Sequence, residues 1–287
     1  MRADGKRGGI GRVAFRVALG SVIPLAILAA WHFGSARGGA VVPSIREVAE
    51  VLLHPLADPP NLDSAPLGTG VVVSVLRVAI GFALAAVTGI PVGLMLGRSQ
   101  WVRDLLNPIV SAVMVISPIA WMPVAIIVFG FSSVGTVLYG EESWRADILD
   151  QLMLAVILVI WLGALFPIAL NTAAGARGVR EAHVEAARLL GAGRLHVLRK
   201  VILPSAAPSM MTGLRVGVGI AWRVMVAAEF FPGTRSGLGH MILTAREQTE
   251  YQYAFAAILV IGAIGLILDG SLRLAGWRVS RWRRTER

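Results

Sequence analysis

Six ionisable residues lie inside long apolar stretches of this 287-residue chain, at Arg77, Arg215, Arg223, Glu229, Asp269 and Arg273. A charge at membrane depth is costly, so such residues usually face the interior of a helix bundle or a water-filled cavity. A guanidinium group suits the geometry of an oxyanion, and it also pairs readily with a carboxylate. Each arginine can therefore bind an anion or form a structural ion pair.

For four of these residues, the position within the apolar stretch favours a structural role over anion binding. Arg77 and Arg273 lie near the ends of their stretches, where a long side chain can reach the interface, and Arg215 is also close to an end. Asp269 and Arg273 are four residues apart, which predicts an ion pair within one helix.

Arg223 carries the most information, because it lies well inside its stretch and follows Trp222. Glu229 is six residues further on and does not share a helix face with Arg223, so the two cannot pair simply within that helix. We predict that Arg223 either faces a pathway and attracts an anion or forms an ion pair between helices or subunits.

Other chemistry finds no support in the residues. The histidines are scattered without the spacing of metal ligands, at His32, His54, His183, His196 and His240. There is no cysteine, which excludes disulfides and a cysteine nucleophile. No G-x-x-x-x-G-K-[ST] pattern occurs, so the chain is not expected to bind ATP through a P-loop. We predict no metal site and no enzyme; a passive channel is the alternative from another class.

Composition indicates the elements that must hold these residues. The chain is 56% hydrophobic with a mean hydropathy of +0.71, which is typical of an all-α integral membrane protein. Six spans are predicted at about 17–33, 71–97, 105–130, 152–170, 211–231 and 254–277. A basic start before the first apolar run could instead mark a cleaved signal peptide.

Prolines interrupt the third predicted span at Pro108, Pro118 and Pro123. Backbone groups freed by proline must face protein or a wet cavity inside a membrane. The second and third spans are therefore predicted to line a pathway rather than lipid.

Basic residues are distributed unevenly over the predicted loops. The net charge is +10, yet the three outer loops, 34–70, 131–151 and 232–253, hold only Arg37, Arg46, Arg145, Arg235 and Arg246. The positive-inside rule then places both termini in the cytoplasm, with tails at 1–16 and 278–287. This placement accounts for the basic charge, so nucleic acid is not needed as a partner.

A polar, basic loop at 178–208 separates the fourth and fifth spans. Residues 181–190 contain neither Gly nor Pro and repeat alanine and leucine at helical spacing, which predicts a short amphipathic helix. Gly191 and Gly193 can end it, and a second helical run follows over 195–203. Pro204 cannot continue that run as a normally hydrogen-bonded residue.

This loop resembles the EAA loop of ABC importer permeases. Glu185-Ala186-Ala187 is followed after three residues by Gly191 and after nine more by 201–204, Val-Ile-Leu-Pro, where the family pattern has Ile in place of Val201. The resemblance implies a cytoplasmic helix that docks on a separate ATPase, which binds ATP and Mg. The implied coupling residues are Glu181, Ala182, Glu185, Ala186, Ala187, Leu190, Gly191, Leu203 and Pro204.

Motifs over about 41–277 are similar to permeases for nitrate, sulfonates such as taurine, and bicarbonate. They include Gly213-Leu214-Arg215, Ala221-Trp222, Ala227-Ala228-Glu229 and Gly237-Leu238-Gly239. The family implies a MetI-like, type I six-span permease of the bacterial inner membrane, without a cofactor of its own. A non-anionic small organic substrate of the same group is the alternative.

The resemblance also implies partners and a pathway. The implied partners are an ABC ATPase, an extracytoplasmic binding protein, lipid and a second permease copy. The pathway hypothesis comprises Pro118, Trp121, Arg215, Trp222, Arg223 and Glu229. Two features depart from the family: the arginine at 223, where an apolar residue is expected, and a long 131–151 loop.

Overall fold

The computed structural model describes residues 22–23, 26–36, 42–140 and 148–279. This part of the chain is almost entirely helical, with one isolated bridge between Ser133 and Met153. The helices are α1 (26–36), α2 (Ile45–Leu53), α3 (Leu67–Arg98), α4 (Gln100–Val115), α5 (Met122–Phe129), α6 (Val134–Tyr139), α7 (Leu154–Arg177), α8 (Glu181–Leu189), α9 (Arg194–Val197), α10 (Leu203–Ala228), α11 (Leu238–Glu247) and α12 (Tyr251–Val279). Short 3-10 turns occur at Pro118–Trp121 and Ile148–Gln151, and a π-helical turn occurs at Leu198–Ile202.

Within the described ranges, four helices are long and apolar enough to cross a membrane. They are α3, α7, α12 and the 35-residue run Arg194–Ala228, and they match the second, fourth, sixth and fifth predicted spans. The bent pair α4 and α5 makes a fifth if it forms one broken span. The predicted first span, at 17–33, lies partly outside the described residues, as do the tails. The all-α membrane fold is confirmed, although the described part does not show all six spans.

Small residues let α3 lie directly against α7. Gly81, Gly89, Gly93 and Gly97 recur along one face of α3, and a Cβ added at any of them would meet α7. At Gly93 the added atom would come within 2.6 Å of the Thr172 Cβ and would also contact the Ala169 carbonyl. Helices in membranes associate through such close backbone approach rather than through the hydrophobic effect.

The same device joins α7 to α10. A Cβ at Gly213 would lie 3.0 Å from the Pro167 carbonyl oxygen, and one at Gly217 would lie 3.3 Å from the Ala164 carbonyl oxygen. Gly175 on α7 faces α10 in the same way, at 3.0 Å from the Ala206 carbonyl oxygen. Helices α3, α7 and α10 therefore form a closely packed unit with α7 in the middle.

The third predicted span, 105–130, is not one continuous helix. It is broken after α4, and the two halves meet at an angle of 94°. Pro118 begins the 3-10 turn after the break, whereas Pro108 lies inside α4 and is accommodated there. The break follows from Pro118, because the residue before a proline avoids the helical region and Ser117 has a ψ of 132°. The predicted span is therefore broken rather than continuous, as its prolines suggested.

The loop between α7 and α10 contains the predicted short helix, α8. It ends where Gly191 takes a φ of +81°, a backbone angle that glycine adopts without a Cβ penalty. Gly193 does not end a helix; it immediately precedes α9. Pro204 does not end the second helical segment either. Proline has no N–H to donate, and the π-helical turn just before it changes the hydrogen-bond spacing from i→i+4 to i→i+5 at this point.

Substitution of Gly93 tests the packing of α3 on α7. Gly93→Ala is expected to destabilise the protein by about 1–3 kcal/mol through overpacking against the α7 backbone, measured as a lower melting temperature in detergent. Gly262→Ala is the matched control, since no atom lies within 4 Å of the Cβ it would add. Equal melting temperatures for the two variants would contradict the close approach.

Candidate functional site: coupling loop and pathway

Helix α8 presents most of its surface outward. Among its residues only Val184 is fully buried, whereas Glu181, Ala182, Glu185 and Ala186 are exposed. The apolar side chains that follow are open as well, with both Leu189 and Leu190 at 89% exposure. Exposed leucines beside small residues on a short helix make a surface suited to a groove on another protein.

The buried side of α8 is attached to the ends of the long helices. Val184 packs in a small cluster with Ala176 of α7, Val179 of the link after α7, and Val197 and Ile202 of the run that leads into α10. Ala187 lies half-buried against the same cluster. A displacement of α8 would therefore pass directly to α7 and α10.

An ion pair connects α8 to α3. Arg98 at the end of α3 lies 3.8 Å from the carboxylate of Glu181, the first residue of α8. Nearby Arg103 donates from its Nε to the Leu96 carbonyl at 3.2 Å, which satisfies a free carbonyl at the end of α3. All three helices of the packed unit thus contact the α8 region, and we call this the coupling end of the subunit.

The opposite end holds a buried ion pair between Arg77 and Glu229. The Arg77 Nη1 lies 2.7 Å from Glu229 Oε1, and both side chains are almost completely buried, at 1% and 0% exposure. The expectation that Arg77 extends toward the interface was wrong, because its carboxylate partner lies 152 residues away on another helix. The identity of that partner also explains why Glu229 does not pair with Arg223.

Further hydrogen bonds surround this pair. Ser74 donates to Glu229 Oε1 at 2.8 Å, and the Gly239 N–H donates to Oε2 at 2.8 Å. Arg77 also donates to the backbone carbonyls of Ser236, at 2.9 Å, and Gln151. The network joins α3, α10, the 3-10 turn before α7 and the loop before α11, so the packed unit is fastened at this end too.

The Gly237-Leu238-Gly239 motif makes room for the Glu229 carboxylate. Gly237 has a φ of +125°, and a Cβ at this position would strike the carboxyl group. A Cβ at Gly239 would lie 2.8 Å from the Glu229 Cβ. Both glycines are thus needed by the ion pair, and neither offers a ligand site of its own.

Loops cover the same end of the molecule. The Asn61 side chain donates to Glu250 at 3.0 Å, and the Asp63 N–H donates to the Gln248 side chain at 3.0 Å. Burial lowers the pKa of the neighbouring His240 imidazole, which keeps that ring uncharged at neutral pH. These contacts join the loop before α3 to the one before α12 in a continuous surface.

Of the pathway candidates, Pro118 lies between α7 and α10, beside Val224, the residue that follows Arg223. Gly163 of α7 marks the place, since its added Cβ would contact Pro118 at 3.6 Å and Val224 at 3.3 Å. The Trp121 Nε1 is buried and has no acceptor among the described residues. Arg223 is exposed; it donates to the Gly219 carbonyl at 3.0 Å and makes no ion pair within the described ranges.

The remaining candidates have partners inside the subunit. Arg215 binds Asp269 of α12 through two hydrogen bonds, of 2.6 and 3.0 Å. The expected pair of Asp269 with Arg273 is confirmed at 2.8 Å. Trp222 is buried and donates to the Ile261 carbonyl at 3.1 Å, so it joins α10 to α12 rather than facing a path. Glu229 is likewise enclosed.

Sequence reasoning placed Arg215 too close to a helix end. Helix α10 begins at Leu203, so Arg215 is 12 residues from its start and 13 from its end. The polar residues between Leu203 and Met211 lower the local hydropathy and conceal the true start of the helix. No group of metal-ligating residues occurs in the part of the chain that the structure describes.

Comparison with known proteins agrees with this architecture. Residues 89–281 match the family described as binding-protein-dependent transport system inner membrane component. The chain belongs to this permease family. The permease is 35% identical to the taurine transport system permease protein of Escherichia coli over 84% of its own length and 80% of that protein. It is 32% identical to the bicarbonate transport system permease protein of Synechococcus elongatus over 92% and 89% of the two chains.

Other relatives extend the same group. A nitrate import permease of Synechocystis and a Bacillus subtilis permease named for aliphatic sulfonates are each 31% identical. Among solved structures, a chain of the MetNI methionine ABC transporter in an inward-facing conformation superposes with a TM-score of 0.52 at 20% identity, covering 75% of the permease and 94% of that chain. The fold is therefore MetI-like. The permease is a multi-pass inner-membrane transport subunit, not an enzyme, and its family implies an ATPase and a binding protein as partners.

Breaking the buried pair from one side tests the network at the end opposite α8. Glu229→Ala leaves the Arg77 charge buried without a partner and is expected to cost about 3–5 kcal/mol of stability. Arg77→Met/Glu229→Gln removes both charges and is expected to recover most of the lost melting temperature. Glu50→Ala breaks the exposed pair with Arg46 and serves as the matched control, with no measurable shift. A double variant no more stable than Glu229→Ala would contradict this account.

Proposed function

We propose that the permease is one of two membrane subunits of an ABC importer and that it moves a small oxyanion, such as nitrate, bicarbonate or a sulfonate, by ATP-driven alternating access. The observation that carries this proposal is the geometry of α8. Its outer face is open for a partner, while Val184 fixes its inner face to the ends of two spanning helices.

Energy comes from a separate subunit in this proposal, since the chain contains no P-loop pattern. Two ATPase subunits bind ATP and Mg and close on each other, and each carries one α8 with it. The pair Arg98–Glu181 and the Val184 cluster pass the displacement to α3, α7 and α10. Close packing of these helices favours movement as a body, because packed interfaces switch between arrangements rather than deform continuously.

A second copy of the permease completes the pathway. Helix α4 has no buried residue in the single subunit and exposes large apolar side chains, including Trp101 at 81% and Val115 at 83%. Such a helix must meet lipid or another subunit. A symmetric homodimer with the path along its axis is the simplest closed arrangement.

Orientation follows from charge. The coupling end carries Arg98, Arg103 and the basic residues of 177–200, so we assign it, with both termini, to the cytoplasm. The extracytoplasmic binding protein then docks on the loops of the opposite end. That partner does much of the substrate selection.

The substrate class rests on Arg223. Its guanidinium is exposed five residues before the end of α10 and has no carboxylate partner among the described residues. An uncompensated arginine inside an apolar span is expected to meet an anion, a partner from the second copy or the nearby interface. The similar taurine, bicarbonate and nitrate permeases are named for oxyanions, which favours the first choice.

Docking through α8 is tested by co-purification. Leu190→Asp, and separately Glu185→Arg, are expected to reduce the P-loop ATPase recovered with tagged permease by at least about tenfold, because they alter the centre of the proposed interface. Leu56→Asp changes an equally open leucine at the other end, 77% exposed, and is the matched control. Undiminished recovery with both α8 variants would overturn the docking proposal.

The anion assignment is tested in liposomes that contain the permease, its ATPase and its binding protein. Nitrate, bicarbonate or taurine is expected to stimulate ATP hydrolysis, and Arg223→Ala to remove about 90% of that stimulation, since one charge-assisted contact contributes about a factor of ten or more. Arg278→Ala, at an exposed position in the last turn of α12, is the control. Stimulation only by an uncharged solute would replace the oxyanion with a neutral organic substrate.

A further inference from the structure

Helices α10 and α12 share an ionic cluster formed by Arg215, Asp269 and Arg273. Arg215 places its Nε 2.6 Å from one Asp269 oxygen and its Nη2 3.0 Å from the other. Arg273 donates to the second oxygen at 2.8 Å. Two positive charges and one negative charge leave the cluster with a net charge of +1.

This cluster joins the spanning helices α10 and α12 and is open on one side. Arg215 is at the midpoint of α10, and Asp269 is 10 residues from the end of α12. Their side chains are 43% and 39% exposed in the subunit. Charges inside a span usually face a water-filled path or protein rather than lipid, and we take the open side to face the path.

The two ion pairs of Asp269 respond differently to motion. Its pair with Arg273 lies within α12 and is unaffected when the helix moves as a body. Its pair with Arg215 crosses between helices and breaks as soon as α10 and α12 separate. Asp269 would remain compensated after such a separation, whereas Arg215 would lose its only carboxylate within the described ranges.

Helix α12 is covered by the rest of the subunit over less of its surface than α7. Only 11% of its most apolar window is buried in the subunit, against 50% for α7. The contacts with α10 include the Trp222 hydrogen bond and a place where an added Cβ on Gly276 would lie 3.8 Å from the Met211 Cβ. A movement of α10 driven from α8 need not carry α12 with it.

We propose that Asp269 is a built-in competitor for the transported anion at a second binding site, the guanidinium of Arg215. With α10 and α12 together, the Asp269 carboxylate fills the fork of Arg215 and excludes an oxyanion. With the helices apart, Arg215 binds an oxyanion with the same two donors. The inference rests on the proposed function and adds a site to it, eight residues from Arg223 and so about 12 Å along α10.

A competing carboxylate at Arg215 would also explain how a bound oxyanion is released. An arginine that binds an oxyanion through two charge-assisted bonds in a restricted space would retain it. A tethered carboxylate acts at a high effective concentration, so its return displaces the anion without any change in the solution. The cycle of conformations would thereby be coupled to binding and release at Arg215.

A disulfide between the two helices tests the proposal. The 3.8 Å between the Met211 Cβ and the ideal Cβ of Gly276 equals the usual Cβ separation in a disulfide, and the chain has no native cysteine. Met211→Cys/Gly276→Cys is reconstituted with the ATPase and binding protein, and uptake of radiolabelled bicarbonate and taurine is measured. Oxidation is expected to reduce uptake to that of empty liposomes, and dithiothreitol to restore it. Each single cysteine variant is the control.

A second variant addresses the competition itself. Asp269→Asn removes the negative charge with little change of shape and is expected to increase the anion retained by the nucleotide-free complex in detergent about tenfold, and Arg215→Gln/Asp269→Asn to abolish the gain. The Asp269→Asn measurement also tests the competitor proposal if the double cysteine variant does not assemble.

The outcomes separate the two proposals. Wild-type uptake that persists in the cross-linked protein, or Asp269→Asn without added retention, overturns the competitor and leaves the proposed function intact. A wild type that responds to none of nitrate, bicarbonate and taurine, in uptake or in ATP hydrolysis, overturns the oxyanion assignment on which both rest.

Discussion

The close approach of the α3, α7 and α10 backbones is the constraint on which the rest of this structure depends. Glycines at 93 and 213 stand where any side chain would enter the backbone of α7. In a membrane, where lipid competes equally for apolar side chains, dispersion at such short range is what holds helices together. Because the contacts run along most of each helix, a force applied at one end reaches the other without a separate relay.

Both ends of this unit are closed by polar contacts of different kinds. At the coupling end the Arg98–Glu181 pair is partly exposed and lies within reach of a partner. At the opposite end Arg77 and Glu229 are fully enclosed and surrounded by donors. A buried pair of this type is weak as a source of stability, yet it fixes one arrangement of the loops around it, because any other leaves a charge unpaired. The ends of α3 and α10 therefore determine the shape of the loop surface on which a binding protein would dock.

The helix, the glycine turn and the second helix of the coupling loop were predicted from local sequence patterns. Each of these features depends mainly on residues close to it in the chain. Four of the six predicted spans match long apolar helices for the same reason, since hydropathy is a local property. The partner of Arg77 was out of reach, because the pairing joins residues 152 positions apart. Arg215 was misplaced because α10 starts in a polar stretch that hydropathy does not recognise. Pro118 predicted a break in the third span. The direction of α5 after the break could not be predicted, because it depends on packing against α7 and α10.

The most direct test of the account is whether the unit moves as one body. Spin labels at His183→Cys on α8 and Arg235→Cys in the loop after α10 span it from end to end, and the absence of native cysteine keeps the labelling specific. The distance between the two labels is measured by double electron–electron resonance. Labelled permease is mixed with an excess of unlabelled permease, so that the distance measured lies within one subunit. The account predicts the same distance in the nucleotide-free and ATP-bound complexes. A distance that changes with ATP would show that the motion of α8 is absorbed inside the subunit, and would contradict direct transmission to the path.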